Sequence, residues 1–347
     1  MRDSGEFWID LRGESMRMMW PVRVMIIALA VGFAGGTLYA QSWEMPSDAQ
    51  RCPSKWGAKD EIGSGNLMKP EMALKAAKLI HTGEVFTLGF HLSAALPLIG
   101  SRRFDMHMKR STATDPGTRG ENEEIVITEL GQVGTQLDAF AHQIYGGEYY
   151  NCITNHEMSF GDAGSNDLSA GARQGFPKLG VEKIPDIMTR GVLIDVAGLK
   201  NVDILPGGYV ITADDLQQAL AKEKLKLETG DAVMINTGWG KLYSVKDKVK
   251  YLKSSPGIGI EAGEWLVKQN PMLVGTDTCC VEVRPYPEQK MNLPIHAMFL
   301  IVNGVYLVEN LRLEQLAAAR AYEAAYIMTP LKIEGGTGST IDPIAVR

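Results

Sequence analysis

The sequence predicts an α/β fold in which a mixed β-sheet is flanked by helices. Short apolar runs typical of buried strands alternate with amphipathic segments that carry helix-capping residues. Apolar residues make up 45% of the 347 residues, and the 37 glycines favour a loop-rich α/β enzyme over a helical bundle. Because no Pro/Gly/Ser-rich linker divides the body of the chain, we expect residues 44–347 to form one domain.

The first third of this domain is predicted to hold a helix, two strands and a long loop. The helix starts after Pro70 and ends at Gly83, because proline suits a first helical turn and glycine suits a C-cap. A strand is predicted over 84–92. The polar segment 101–124 contains Gly and Pro and is predicted to be a loop, a candidate lid over an active site. The strand-like run EEIVITEL ends at Leu130.

Strands and helices alternate in the remainder of the chain. Three short apolar runs predict buried strands: 191–199, 231–239 and 271–278. Three segments with helical spacing predict helices: 211–227, 259–269 and 313–325. The first of these helices has Thr212 as its N-cap and acidic residues in its first turn, where they interact favourably with the helix dipole.

The N-terminal residues predict export. Two arginines precede the apolar run 24–36, and small residues follow it up to Ala40, which is the pattern of a secretory signal peptide over 16–40. An uncleaved anchor is the alternative, but the run is shorter than the roughly 20 residues that span a bilayer. Residues 1–15 are polar and consistent with a start-site artefact. We therefore expect a secreted or periplasmic protein with no stable membrane span after cleavage.

Charge and cysteine content narrow the choice of partners. The formal net charge is -6, with a pI of about 5.6 and no basic patch, which argues against a nucleic-acid partner. The four cysteines form no C-x-x-C pair: Cys52, Cys152, Cys279 and Cys280. A bridge between Cys52 and Cys152 is compatible with export, but nothing in the sequence supports it. The expectation is buried or free thiols.

The stretch GQVGTQLDAFAHQ, residues 131–143, is rich in side chains that can do chemistry. Alternate side chains of an extended segment share a face, so Gln132, Gln136 and Asp138 are predicted to point the same way. Asp138 and His142 are good ligands for a divalent ion, or a base and its orienting partner. On spacing alone, the polar face of a half-exposed strand is the favoured interpretation.

The same stretch resembles the metal-binding motif of the cyclase / kynurenine formamidase-like hydrolase family, H-x-G-T-H-x-D-x-P-x-H. In this chain the frame is Q-V-G-T-Q-L-D-A-F-A-H. Four positions match the motif: Gly134, Thr135, Asp138 and His142. Gln132 and Gln136 replace two metal-binding histidines, and Phe140 replaces the proline.

Further segments extend the resemblance over about residues 55–347. KWGAKDEIGSGN, from Lys55, is similar to the family's W-G-x-x-D-E-x-G-x-x-N, and TRGVLIDVAG, from Thr189, is similar to its R-G-V-L-x-D strand. GTDT then precedes LPIHAMF and VENL, in which His296 and Glu309 match the family's second ligand pair. Because the segments occur in family order, the chain is identified as a member of this family.

The resemblance implies a fold, a chemistry and an assembly. The fold would be a twisted mixed β-sheet that curls toward a barrel with helices outside, and the assembly a homodimer or homotetramer. A divalent metal, Zn or Mn, would assist water in attacking an amide, lactam or ester carbonyl. The implied metal site comprises Asp138, His296, Glu309, Gln136 and Gln132.

The resemblance also implies an acid/base role for His142. Trp56 and His107 are candidates for contact with a small-molecule substrate, Trp56 from the family-like segment and His107 from the polar loop. A glutamine carbonyl is a harder and weaker donor than imidazole. We therefore expect metal binding to be weakened, shifted toward hard ions such as Mn or Mg, or lost.

Three functions follow from these residues. The first is an exported, metal-assisted hydrolase of a small aryl or cyclic amide or ester, arylformamidase-like in class. The second is a metal-independent hydrolase or cyclase/lyase of the same fold, and the third is a non-catalytic periplasmic binding protein. The retained ionisable residues argue against the third, because an ionisable cluster without a function is costly to bury.

Overall fold

The computed structural model describes residues 43–159, 175–244, 246–287 and 292–347. All of them belong to one compact unit, Ala40–Arg347. The predicted signal peptide, 16–40, and the segment 1–15 lie outside the described residues. In the described part of the chain, no helix has both the length and the apolar character needed to cross a membrane.

A curled, mixed sheet of nine strands forms a half-barrel, and the helices flank it. In spatial order its strands are β1 (Val85–Thr87), β13 (Ile344–Val346), β11 (Glu323–Met328), β5 (Ile187–Asp195), β7 (Ala232–Asn236), β9 (Leu273–Thr276), β10 (Tyr306–Glu309), β4 (Gln136–Asp138) and β12 (Gly338–Thr340). The four strands from β5 to β10 are parallel, and the strands outside them are antiparallel. This confirms the predicted fold class, including the buried strands at β5, β7 and β9.

The helices flank the sheet. Their bounds are α1 (Asp48–Arg51), α2 (Pro70–Ala77), α3 (Val196–Leu199), α4 (Ala213–Lys222), α5 (Lys248–Lys253), α6 (Ile260–Lys268), α7 (Pro294–His296) and α8 (Glu314–Ala318). Short 3-10 turns occur at Gly63–Leu67, Phe140–His142, Tyr150–Cys152, Val181–Lys183 and Trp239–Leu242, and a π-helical segment, Ala297–Asn303, continues α7.

The N-terminus of α4 has the capping interaction that the sequence predicts. The Thr212 side chain accepts from the Asp215 N–H, and the Asp215 carboxylate accepts from the Thr212 N–H. This reciprocal pair satisfies two backbone donors that the first turn would otherwise leave unpaired. The predicted cap is therefore confirmed. Helix α2 also starts as predicted at Pro70, although it ends at Ala77 rather than near Gly83.

The predicted loop 101–124 is wrong in part. It contains strand β2 (Phe104–Lys109), which pairs in an antiparallel hairpin with β3 (Glu123–Thr128). Apolar and polar side chains alternate along β2, which is the period of a strand, but this run is only six residues long and lies within a polar stretch that contains Gly and Pro. The cross-strand pairs that define the hairpin cannot be seen within one segment. A second two-stranded ladder joins β6 (Val210–Ile211) to β8 (Gly257–Ile258).

The predicted helix over 313–325 is also wrong in its second half. Helix α8 ends at Ala318, Arg320 adopts a left-handed φ of 50°, and β11 begins at Glu323. Alanine favours helices by less than about 1 kcal/mol per residue, so pairing with two neighbouring strands overrides that preference. The Arg190 guanidinium also fixes the start of β11 by donating to Glu323 over 2.7 Å.

Two cysteines that the sequence predicts as thiols form a disulfide. Cys52 and Cys152 are bonded, with their Cα atoms 6.0 Å apart and a sequence separation of 100. Their spacing carried no signal because the fold alone brings the two segments together. Cys279 and Cys280 remain free and buried, as expected.

Candidate active site

Strand pairing brings the two halves of the predicted site together. Strands β4 and β10 are antiparallel, with Gln136 opposite Glu309 and Asp138 opposite Leu307. Residues that oppose each other directly project to the same face, and so do residues two apart on one strand. Gln136, Asp138 and Glu309 therefore share a face. The Gln136 amide donates to Glu309 Oε2 over 2.9 Å.

The turn before β4 is fixed by the matching Gly-Thr pair of the motif. Gly134 has a φ of +77°, a left-handed conformation that L side chains rarely adopt. The Thr135 hydroxyl donates to the Asn310 carbonyl over 2.6 Å, and the Asn310 amide donates to the Gly134 carbonyl over 2.9 Å. These bonds join the start of β4 to the end of β10, so both strands present their polar side chains in fixed register.

A carboxylate that the sequence analysis missed orients His296. The imidazole Nδ1 lies 2.5 Å from Glu282 Oε1, and the same carboxylate accepts from the His296 backbone N–H over 3.2 Å. The other ring nitrogen, Nε2, lies 3.2 Å from Glu309 Oε1 and 3.7 Å from Asp138 Oδ2. His296 is also the N-cap of the π-helical segment, a feature frequent at functional sites.

His142 completes the cluster. Its Nε2 lies 4.0 Å from Asp138 Oδ2, and its ring centroid lies 6.5 Å from that of His296. The Gln132 Nε2 is 3.2 Å from His142 Nδ1. Because an amide nitrogen can only donate, Nδ1 accepts, and the proton of the neutral ring sits on Nε2, which faces Asp138. Side chains from two distant segments thus converge on one point.

Burial and neighbouring charges set the protonation of these groups. Burial lowers the pKa of His142 below its ordinary value, and the His296 charge acts in the same direction while Asp138 opposes it. Burial raises the pKa of Glu309, and the Asp138 charge adds to this effect. Burial would lower the pKa of His296, but hydrogen bonds to Glu282 and Glu309 outweigh it and hold that pKa well above its ordinary value.

Three of these side chains fit a divalent cation. One ligand atom each from Asp138, His296 and Glu309 lies within 4.8 Å of the other two. A tetrahedral ion bonded at about 2.1 Å separates its donors by roughly 3.4 Å, close to the 3.2 Å and 3.7 Å between His296 Nε2 and the two carboxylates. Asp138 Oδ2 is buried and lacks a hydrogen-bond partner among the described residues. An unpaired buried carboxylate oxygen is costly, and a cation would satisfy it.

The cluster opens into a cavity of about 310 Å³, a volume suited to a small molecule. The cavity wall includes Arg102, Gln132, His142, Cys279, Arg284 and His296. Sequence analysis missed Arg102, Arg284 and Glu282. Of these only Glu282 carried a signal, since a carboxylate within the apolar run VEV is expected to be buried and paired.

The two predicted substrate contacts lie elsewhere in the described structure. His107 is an exposed residue of the β2–β3 hairpin, opposite Ile125. Trp56 is half-buried, and the Lys55 ammonium lies 5.0 Å from the centre of its ring. Neither residue is among those that line the cavity beside His142, and their contact with substrate stays a prediction.

Comparison with known proteins identifies the family. A family model described as "Putative cyclase" matches residues 54–283. The chain belongs to the cyclase family. A solved structure of a novel cyclase is 32% identical, with a TM-score of 0.75, and the match covers 84% of this chain and 98% of that one. The resemblance drawn from the motif is therefore confirmed.

More distant structures share the fold of this cyclase-family chain. Isatin hydrolase A from Ralstonia solanacearum is 22% identical, with a TM-score of 0.55 over 81% of this chain and 98% of that one. An isatin hydrolase bound to the product analogue thioisatinate is 20% identical, with a TM-score of 0.53 over 80% and 98% of the two chains. No curated protein matches the chain.

The departures of this cyclase-family chain from the motif have structural roles. The Gln132 amide donates to Asp138 Oδ1 over 2.9 Å, and the Gln136 amide donates to Gln132 Oε1 over 3.2 Å as well as to Glu309. The glutamines therefore hold the carboxylates through their amide nitrogens, which do not bind cations. Phe140 packs between the rings of Tyr150 and Tyr306, at centroid distances of 4.6 and 5.0 Å.

Proposed function

We propose that this cyclase-family protein is a hydrolase of a small aryl or cyclic amide or ester, and that a divalent cation assists it. The observation that carries the proposal is the convergence of Asp138, His142, His296 and Glu309 on a cavity of about 310 Å³. The family assignment and the fold shared with isatin hydrolases support the hydrolase class.

Asp138, His296 and Glu309 would hold the cation. When bound, a Zn or Mn ion supplies Lewis-acid chemistry, which polarises a carbonyl and acidifies water. Glu282 keeps the His296 ring turned so that Nε2 faces the two carboxylates. The Gln132 amide donates a hydrogen bond to Asp138 Oδ1, so Asp138 Oδ2 remains available to a cation. The Gln136 amide donates to Glu309 Oε2, so Glu309 Oε1 remains available beside His296.

His142 contributes a hydrogen at Nε2. The Gln132 amide fixes the tautomer, and burial keeps the ring neutral near pH 7 by lowering the pKa of His142. A neutral imidazole N–H can stabilise the negative charge that develops on a carbonyl oxygen under attack, and such donors typically contribute 10²–10³-fold to kcat. We infer that His142 acts first as a hydrogen-bond donor to the carbonyl oxygen, and that this is its acid/base role at the start of the reaction.

A metal-independent enzyme of the same fold is the second candidate. The His296 ring lies between Glu282 and Glu309, and its raised pKa keeps it positively charged, so the buried carboxylates already have a counter-charge. In that state no cation would be needed, and Asp138 Oδ2 and His142 Nε2 would lie on either side of the water molecule that attacks the substrate. A hydrolase or cyclase/lyase of this kind would continue to turn over substrate in the presence of a chelator.

The proposed function is tested with a panel of N-formyl, lactam, lactone and aryl-ester substrates. We expect the wild-type protein to hydrolyse at least one class, and His142→Ala to reduce kcat by about 10²–10³-fold on it. His156→Ala, a change at an exposed histidine, is the matched control and should leave kcat unaltered. Turnover that is equal in His142→Ala and wild type would remove His142 from the mechanism. Binding without turnover of any class would favour a periplasmic binding protein.

We also propose that the protein is exported. The Cys52–Cys152 disulfide supports this, because disulfides form and persist mainly in oxidising compartments. N-terminal sequencing of the protein recovered from the periplasm or medium should find a mature chain that begins directly after Ala40. Recovery of the full-length chain in the cytoplasm would contradict export.

A further inference from the structure

Two thiols line the cavity and have no part in the proposed hydrolysis. Cys279 and Cys280 follow β9, both are buried, and both contribute to the cavity wall that includes His142. Their sulfur atoms are 3.1 Å apart. This distance is well beyond the roughly 2.05 Å of a disulfide bond, so the pair is a dithiol.

The turn that carries these thiols is rigidly held. Val281 has a φ of 57°, a genuine outlier for a β-branched residue. Strain of this kind persists only where neighbouring contacts enforce it. Here the Ile258 N–H donates to the Val281 carbonyl over 3.1 Å, and the Glu282 N–H donates to the Cys280 carbonyl. The backbone that carries the two sulfurs is therefore held in place by its neighbours.

Arg284 makes the pair reactive. Its Nη1 lies 3.2 Å from Cys279 Sγ and 3.5 Å from Cys280 Sγ. The hydrogen bond from Cys280, together with the guanidinium charge, lowers the pKa of Cys279 to about 6. The same hydrogen bond and burial raise the pKa of Cys280 well above its ordinary value. At neutral pH the pair thus consists of one thiolate and one thiol.

The distance between the two sulfurs and the charge of Arg284 beside them determine which kind of ligand the pair can bind. Two bonds of about 2.3 Å at a near-right angle separate two sulfurs by roughly 3.3 Å, whereas a tetrahedral centre needs roughly 3.8 Å. The 3.1 Å between the two sulfurs is closer to the spacing that the narrower angle of a pyramidal centre requires. The Arg284 charge repels a cation such as Zn²⁺ but not a neutral molecule, and sulfur prefers soft partners.

We propose that Cys279 and Cys280 form a dithiol site that captures a neutral trivalent arsenical through both sulfurs. With an arylarsonous acid, two As–O bonds break, two As–S bonds form and two water molecules leave. One departing hydroxyl takes the Cys280 thiol proton and the other takes a proton from solvent, because Cys279 is already a thiolate. No atom changes oxidation state, so no oxidant is required. Capture requires none of the residues assigned to hydrolysis, although both sulfurs line the same cavity as His142.

The test uses the complete folded protein and phenylarsine oxide, which hydrates to the arylarsonous acid. Intact-mass spectrometry should show one phenylarsenic group per chain, and thiol titration of the adduct should show that two thiols have been lost. The adduct should survive a 100-fold excess of 2-mercaptoethanol and be released by 2,3-dimercaptopropanol, because only a second dithiol offers an equivalent chelate.

Variants separate chelation from binding to one sulfur. In Cys279→Ser and Cys280→Ser, 2-mercaptoethanol should strip the arsenical, with thermal unfolding confirming that each variant is folded. Arg284→Gln should slow capture at pH 7 by up to about 30-fold, because loss of the guanidinium raises the pKa of Cys279 and lowers its thiolate fraction, while the hydrogen bond from Cys280 remains. Arg284→Lys retains the charge and should restore most of the rate.

Several results would overturn the proposal. One is a wild-type chain that has no free thiol and a mass 2 Da below that expected for one disulfide and two thiols. The others are capture through one sulfur, absence of capture, and equal retention of the arsenical in Cys280→Ser and wild type. Because neither mass nor thiol content depends on turnover, such a failure is distinguishable from a failure of the proposed hydrolase function.

Discussion

Replacing Glu282 by glutamine should weaken cation binding although Glu282 would not touch the cation. Glu282 Oε1 lies 2.5 Å from His296 Nδ1, and its carboxylate also accepts from the backbone N–H groups of Ile295 and His296 over 3.3 and 3.2 Å. Glutamine keeps the size and one acceptor oxygen but removes the charge. The His296 ring should therefore stay in place while its Nε2 becomes a weaker donor to a cation.

Loss of a carboxylate partner behind a metal-binding histidine typically lowers metal affinity by 10–100-fold, or about 1.4–2.7 kcal/mol. We expect a change of this size in Glu282→Gln, measured by titrating Zn²⁺ or Mn²⁺ into cation-free protein against a competing chelator. Glu261→Gln makes the same charge change at an exposed position of α6 and is the matched control. Equal affinity in Glu282→Gln and wild type, or an equal loss in the control, would refute the reasoning.

Three further predictions test the pH dependence, the disulfide and the assembly. The active form needs a neutral His142, and burial holds the pKa of this imidazole below its ordinary value. Accordingly kcat/KM should be constant at neutral and alkaline pH and fall only at pH values below the ordinary pKa of histidine; an acid limb centred at or above that ordinary pKa would contradict this. The Cys52→Ala/Cys152→Ala variant opens a loop of about 100 residues and should lose up to about 4.7 kcal/mol of unfolding free energy in urea; an unchanged urea midpoint would contradict a bonded pair. The β2–β3 hairpin exposes Met106 by 57% and Ile125 by 47%. Because a lone hairpin with exposed apolar faces is marginally stable, we propose that a second copy of the chain covers it. Light scattering should therefore show a dimer or tetramer that Met106→Lys dissociates, and a wild-type monomer at micromolar concentration would contradict this.

The local parts of the site could be predicted from the sequence. Asp138 and His142 belong to one short motif, and His296 and Glu309 lie near each other in another, so their spacing carried information. That the two motifs meet followed from the family resemblance alone, because neither motif shows by itself that β4 pairs with β10. The structure does bring the four side chains together, with Asp138 Oδ2 within 4.0 Å of both imidazoles.

The parts that could not be predicted depend on contacts between distant segments. Cys52 meets Cys152 across 100 residues, and Glu282 reaches His296 only because the loop after β9 folds back on α7. The hydrogen bonds of Gln132 and Gln136 could not be predicted for the same reason. A glutamine can offer either its oxygen or its nitrogen, and only the neighbouring carboxylates decide which of them faces the centre.

The prediction of secondary structure was wrong where pairing between distant strands outweighed the local preference of the residues. Residues 323–325 lie in an alanine-rich stretch that favours a helix, yet they form the start of β11, which pairs with β5 along its length and with β13 from Ala325 onward. The segment 104–109 alternates apolar and polar residues as a strand does, but its polar surroundings favour a loop, and its pairing partner, 123–128, lies across the hairpin. Neither partner is visible when one segment is considered alone.

Cation content, measured by elemental analysis, tests the central claim most directly. The protein is purified without chelator, incubated with Zn²⁺ or Mn²⁺ and desalted, in parallel with Glu309→Gln. We predict about one equivalent of cation per wild-type chain and a large loss in the variant, since Glu309 supplies one of the three clustered donors. A wild-type chain that retains no cation yet hydrolyses its substrate at full rate would contradict the cation-assisted account.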